Sequence, residues 1–142
     1  MRGTDSGYSL AAMSKASGTF ELSATHDIYD ESPGAKLSRT KYTKTFQGDL
    51  VASSTVESLQ AVSDDEKSAA YVGMERISGT LGGRSGSFVL QHSGLMVGDG
   101  MELEVKVLPG MSTDELTGLS GTMSIDIRDG QHFYEFEYSL EG

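Results

Sequence analysis

The stretch GTMSIDIRDGQHFYEFEYSL (Gly121–Leu140) decides the fold class. Met123, Ile125 and Ile127 fall in phase before Asp129-Gly130. His132, Tyr134, Phe136, Tyr138 and Leu140 fall in phase after it, with Glu135, Glu137 and Ser139 on the opposite face. Side chains at i, i+2 and i+4 share one face in a strand, so both runs read as strands with one dry side. Asp-Gly between two such runs predicts a type I′ hairpin, whose central residues both need positive φ.

The same period extends upstream. In Ser17–Ile28, Phe20, Leu22, Ala24, His26 and Ile28 share a face. In Lys36–Gln47, Leu37, Arg39, Lys41, Thr43 and Thr45 alternate with Ser38, Thr40, Tyr42, Lys44 and Phe46. Runs follow at Leu50–Val62, Ala69–Leu81, Ser87–Met96 and Met101–Leu108, separated by polar or glycine-rich stretches such as Gly48-Asp49, Ser63–Lys67 and Gly82–Gly86. Ser112 and Glu115 have capping-box spacing, which predicts one helical turn over Thr113–Leu116. About eight evenly spaced strands predict an all-β domain, a small closed antiparallel barrel. A two-sheet sandwich shares the pattern, because periodicity does not report closure. Eight strands enclose either packed side chains or one small ligand.

Composition agrees. The chain has 142 residues with 18 Gly, 2 Pro and no Cys. That length fits one domain, read as residues 15–142, with 1–14 as an extension and Met1 to Ala12 expected to be poorly ordered. Without cysteine, disulfides and thiolate metal sites are excluded, and a cytoplasmic location is expected. The net charge of -10 disfavours nucleic acid and anionic membranes as partners. No apolar run approaches the roughly 20 residues needed to span a bilayer. His26, His92 and His132 lack ligand spacing, Asp126 and Asp129 make no calcium loop, and Gly83–Ser87 is neither a nucleophile elbow nor a P-loop. No metal or cofactor is expected.

The segment YVGMERISGTLGGRSGSFVLQHSG (Tyr71–Gly94) resembles the signature of an uncharacterised bacterial family of short proteins with an allene-oxide-cyclase-like, or dirigent-like, barrel. Thr43–Leu50 resembles the same family. Glu115–Gly121 does too, and it is also similar to a loop-then-strand motif of plant allene oxide cyclases and dirigent proteins. The resemblance, over roughly Gly18–Tyr138, implies the barrel. In the plant cyclases the cavity binds an unsaturated fatty epoxide and a glutamate assists ring closure, but that glutamate does not align residue by residue with Glu75. Related plant barrels form trimers, which makes self-association an expectation.

Candidate chemistry lies in two strands. Glu75 and Arg76 are adjacent and face opposite ways, as do Gln91 and His92. If the turn occupies Gly82–Ser85, Leu81 pairs with Gly86, Glu75 lies opposite His92 and Arg76 opposite Gln91. A three-residue turn pairs Glu75 with Gln91 instead. Tyr71 and Ile77 on Glu75's face, with Phe88 and Leu90 on His92's face, favour the first register. A Glu75–His92 pair in an apolar barrel is a candidate catalytic acid/base unit. Its alternative is architectural, a pair that satisfies itself and fixes register. Arg39, Tyr42, Tyr71, Arg76, Gln91 and Tyr134 are candidate ligand contacts, with Arg39 and Lys41 able to orient a carboxylate if they face inward. The functional expectation is binding of a small apolar or amphipathic molecule, with isomerase or cyclase chemistry by positioning and proton transfer. The alternative is a ligand-free scaffold or homo-oligomer module.

Overall fold

A computed structural model describes residues 13–140. Eight strands run in chain order: β1 (Met13–Ser32), β2 (Ala35–Gly48), β3 (Leu50–Ser63), β4 (Ser68–Leu81), β5 (Arg84–Val97), β6 (Gly100–Val107), β7 (Leu119–Arg128) and β8 (Gln131–Leu140). Each pairs antiparallel with its neighbours, and β8 returns to β1, closing the barrel. The expectation for Met1 to Ala12 lies outside the described residues. Met13 and Ser14, read as part of the extension, instead begin β1 and pair with Ser139 and Tyr138 of β8. No helix among the described residues is long and apolar enough to cross a membrane.

Turn chemistry sets the registers. Asp129 and Gly130 both have positive φ, as the I′ reading requires, and Arg128 pairs with Gln131. Gly82 and Gly83 also both have positive φ, so Leu81 pairs with Arg84 across a two-residue turn. The expected Leu81–Gly86 pairing is therefore corrected by two residues. Two glycines supply the left-handed pair at no steric cost, which favours the tightest hairpin. A shift of two leaves every side chain on its expected face.

The barrel has a packed half and an open half. In the packed half Phe88 stacks on Phe136 at 5.6 Å and Phe20 tilts against Phe46 at 5.3 Å, above fully buried Leu50, Ile77 and Leu81. β6 pairs with β5 only from Leu90 onward. The segment after β6 completes β5: Leu108 N–H donates to the Val89 carbonyl, Thr113 N–H to that of Ser87, and Ser85 N–H to the Glu115 carboxylate at 2.9 Å. The expected helical turn is a 3-10 turn at Asp114–Leu116, with Leu116 wholly buried. Its capping box does not form, because Glu115 is committed to Ser85.

The open half arises from unequal pairing. β8 pairs with β1 only as far as Phe20, and β6 meets β7 at one position, Lys106–Thr122. The rest of β1 continues beside β2, so the inner face widens toward that end.

Candidate functional site

Period two carries four polar side chains into the middle of the barrel. On β4, Gly73, Glu75 and Ile77 point inward and are buried, while Met74 and Arg76 point out. On β5 the inward set is Phe88, Leu90 and His92. Gly73 pairs with His92 and Val56 with Glu75, so His92 and Ser54 each sit one step diagonally from Glu75. Lys44 pairs directly with Ser54.

Glu75 is only 1% exposed, and its carboxylate collects three donors. Ser54 Oγ–H donates to Oε2 at 2.6 Å, His92 Nε2–H to Oε1 at 2.6 Å, and Lys44 Nζ to Oε1 at 3.4 Å. Lys44 is itself buried, with its ammonium 4.7 Å from the centre of the Phe20 ring. Burial alone raises the Glu75 pKa, but the His92 hydrogen bond, the Lys44 charge and the Ser54 hydrogen bond together outweigh it and hold the carboxyl below its ordinary value. Glu75 is thus a buried anion at neutral pH. An anionic acceptor fixes the proton of a neutral His92 on Nε2, leaving Nδ1 as the ring nitrogen with a lone pair. Nδ1 has no hydrogen-bond partner among the described residues.

Lys44 and His92 line a cavity of about 410 Å³ that opens toward the wide end. This lies within the range of small-molecule sites, roughly 300–1,000 Å³. Phe20, Leu22, Ile125 and Ile127 form one wall with His132 between Phe20 and Ile127, and Tyr42, Ser58, Gln60 and Tyr71 stand on the other. Burial, and to a smaller degree the neighbouring Tyr42, push the Tyr71 phenol up from its ordinary value, so it remains a donor. Gly94 pairs with Tyr71, and a side chain there would collide with the tyrosine ring. Above the cavity, His26 bonds Thr40 at 2.8 Å, while Thr40 and Ser38 both donate to Gln60 Oε1.

A model of a family described as "Protein of unknown function (DUF3224)" matches residues 16–138, nearly all of β1 through β8. The chain belongs to the DUF3224 family. A solved structure from Shewanella oneidensis MR-1, described as a protein of unknown function from the DUF3224 family, superposes with a TM-score of 0.84 at 43% identity. The match covers 92% of this chain and 99% of that one. No curated protein matches the chain.

In this DUF3224 barrel the expected residues divide into three groups. Glu75 and His92 meet, although diagonally rather than directly opposite, and Tyr42 and Tyr71 join His92 around the cavity. Arg39, Lys41, Arg76 and Gln91 are corrected to the outer face. Tyr42 and Phe46 take the even-numbered side of β2 inward, which sends Arg39 and Lys41 out, where their charges remain hydrated. Ile77 does the same to Arg76, and Leu90 to Gln91. Tyr134 is corrected to the packed half: its hydroxyl donates to the Gln47 carbonyl at 2.9 Å and accepts from Leu50 N–H at 2.9 Å, bolting down the β2–β3 turn. Sequence reasoning missed Lys44 and Ser54. The signal for Lys44 was present, because it shares a face with Tyr42 and Phe46. Among the described residues no three His, Asp or Glu side chains gather where they could hold a metal ion.

Proposed function

We propose that this barrel binds a small amphipathic molecule in its cavity and that the Glu75–His92 pair, with Lys44 beside it, performs proton transfer on it. The observation that carries this reading is a buried carboxyl group within reach of three donors, beneath a partly apolar cavity of about 410 Å³. Burying an ion pair is expensive, and an apolar replacement is often at least as stable. Chemistry gives this one a purpose. Glu75 orients the imidazole. His92 Nδ1 takes a proton from one ligand atom and returns it to another, an isomerisation that needs no further reactant. The Lys44 ammonium steadies negative charge that develops on a ligand oxygen meanwhile. The sequence resemblance of Tyr71–Gly94 to allene-oxide-cyclase-like barrel proteins points the same way, as an analogy of fold alone.

Naphthoate serves as an amphipathic probe in isothermal titration. The wild-type protein binds it, and Val56→Trp or Leu22→Trp, each filling the cavity, abolishes binding while leaving the far-UV circular dichroism unchanged. Binding that survives both substitutions, or a wild-type protein that binds neither naphthoate nor any other small amphipathic probe, removes the cavity as a site.

A second reading has its own observation. Leu59 and Val72 pair on the outer face beside Met74, all well exposed, with Arg39 and Glu57 flanking them. Across a twofold axis Arg39 of one copy would face Glu57 of the other, so the patch complements itself despite the chain's net negative charge. Light scattering that reports only monomer at 100 times the working concentration, or roughly so, discards this homo-oligomer.

A further inference from the structure

The cavity's two walls differ chemically, and the difference restricts its occupant. The wall from β1 and β7 (Phe20, Leu22, Ile125, Ile127) is hydrocarbon, with the His132 imidazole of β8 set between the two strands as its one polar group. The facing wall, from β2 to β4, holds hydrogen-bonding groups not yet spent. Ser58 accepts from Gln60 Nε2 at 2.6 Å, which leaves its own O–H to donate. Gln60 Oε1 is saturated by Ser38 and Thr40, whereas its second N–H is uncommitted. The hydroxyls of Tyr42 and Tyr71 have no partner among the described residues. Lys44 spends one N–H on Glu75 and retains two. This wall therefore offers more donors than acceptors: Lys44 and the free Gln60 N–H only donate, while the hydroxyls do either.

Pairing adds a second restriction. A long fatty chain would leave the donors of the polar wall facing hydrocarbon, which costs affinity for every group left unpaired.

Building on the cavity reading above, we infer that the ligand is a small, flat, oxygenated ring compound with acceptor oxygens along one edge, not a long acyl chain. Its bare face lies on Ile125 and Leu22. Its oxygens meet Ser58, Gln60 and Tyr71, and one of them reaches Lys44.

Three probes separate this inference from the reading beneath it: umbelliferone, a bicyclic lactone with oxygens around its rim; naphthoate, a bicycle with one polar head; and hexadecanoate. Wild-type protein binds umbelliferone at least as tightly as naphthoate and binds hexadecanoate about tenfold more weakly than either. Ser58→Val combined with Gln60→Leu weakens umbelliferone by about tenfold, the effect of losing one or two charge-neutral hydrogen bonds, and leaves naphthoate within about twofold. Tyr71→Phe, which keeps the ring and needs no repacking, weakens umbelliferone severalfold. Hexadecanoate binding more tightly than umbelliferone overturns the inference while leaving the cavity reading intact. So does umbelliferone affinity unmoved by both variants. Failure of all three probes overturns both.

Discussion

Glu75→Gln tests the buried ion pair directly. The substitution keeps the shape of a side chain that is 1% exposed but removes its charge. Lys44, 7% exposed, then loses its counter-charge, and the new amide must turn an N–H toward one of three donors. Breaking one side of a buried pair costs about 3–5 kcal/mol. With a urea slope of about 2 kcal/mol/M, a loss of about 4 kcal/mol lowers the unfolding midpoint by about 2 M. A domain of this size is stable by roughly 5–15 kcal/mol, so the variant remains folded without denaturant in most of that range. Lys44→Met alone leaves Glu75 buried with two donors and costs a comparable amount. The double variant removes both charges and regains much of the loss, so the two single effects do not add. Equilibrium urea unfolding followed by circular dichroism measures all four proteins. A Glu75→Gln midpoint within about 0.25 M of wild type, equivalent to about 0.5 kcal/mol, would falsify the ionised carboxylate. Strictly additive losses would show that Lys44 and Glu75 do not act on each other.

Acid titration reads the same group another way. Because the folded pKa of Glu75 is held below its ordinary value of 4.5, the folded protein carries fewer protons there than the unfolded chain. Its stabilisation is complete above that value and disappears as pH falls through the folded pKa, so wild type loses stability on acidification more steeply than Glu75→Gln. Parallel profiles from pH-dependent thermal melts would contradict this. Tyr134→Phe strands Leu50 N–H and the Gln47 carbonyl and should cost about 1–3 kcal/mol in urea unfolding; a neutral result places the tyrosine's value in its ring. Gly18→Ala would press a methyl group into the Gln47 carbonyl and the Tyr134 hydroxyl, with a cost of about 2–3 kcal/mol or more. Unchanged stability there would mean that β1 and β2 are not so close at this point.

The barrel was legible in sequence because period two persists through the strands and glycine-bearing turns such as Gly82-Gly83 and Asp129-Gly130 punctuate it. Alternation also put Glu75 and Arg76, and likewise Gln91 and His92, on opposite faces, but left open which of each pair faces the interior. Even the misjudged Gly82-Gly83 turn did no harm, since a two-residue error preserves parity. Direction was harder than alternation. Arg39 and Lys41 alternate as cleanly as Tyr42 and Lys44, and only the aromatics on the second face tell which side is inside. Tyr134 matched a cavity tyrosine in pattern, but its depth along the barrel, which places it against Gly18 and Leu50, comes from the stagger of β8 on β1. The cavity itself was not legible. It depends on β8 and β6 ending their pairing early, a long-range property of register that no local run encodes.

The most direct test of the central claim is nitrogen NMR of the imidazole of His92, assigned among the three histidines by comparison with His92→Gln. The expected result is a proton on Nε2 held by Glu75, a bare Nδ1, and a marked shift of Nδ1 when umbelliferone or naphthoate is added. A proton resident on Nδ1 in the free protein, or a ring that does not respond to any bound probe, would contradict it.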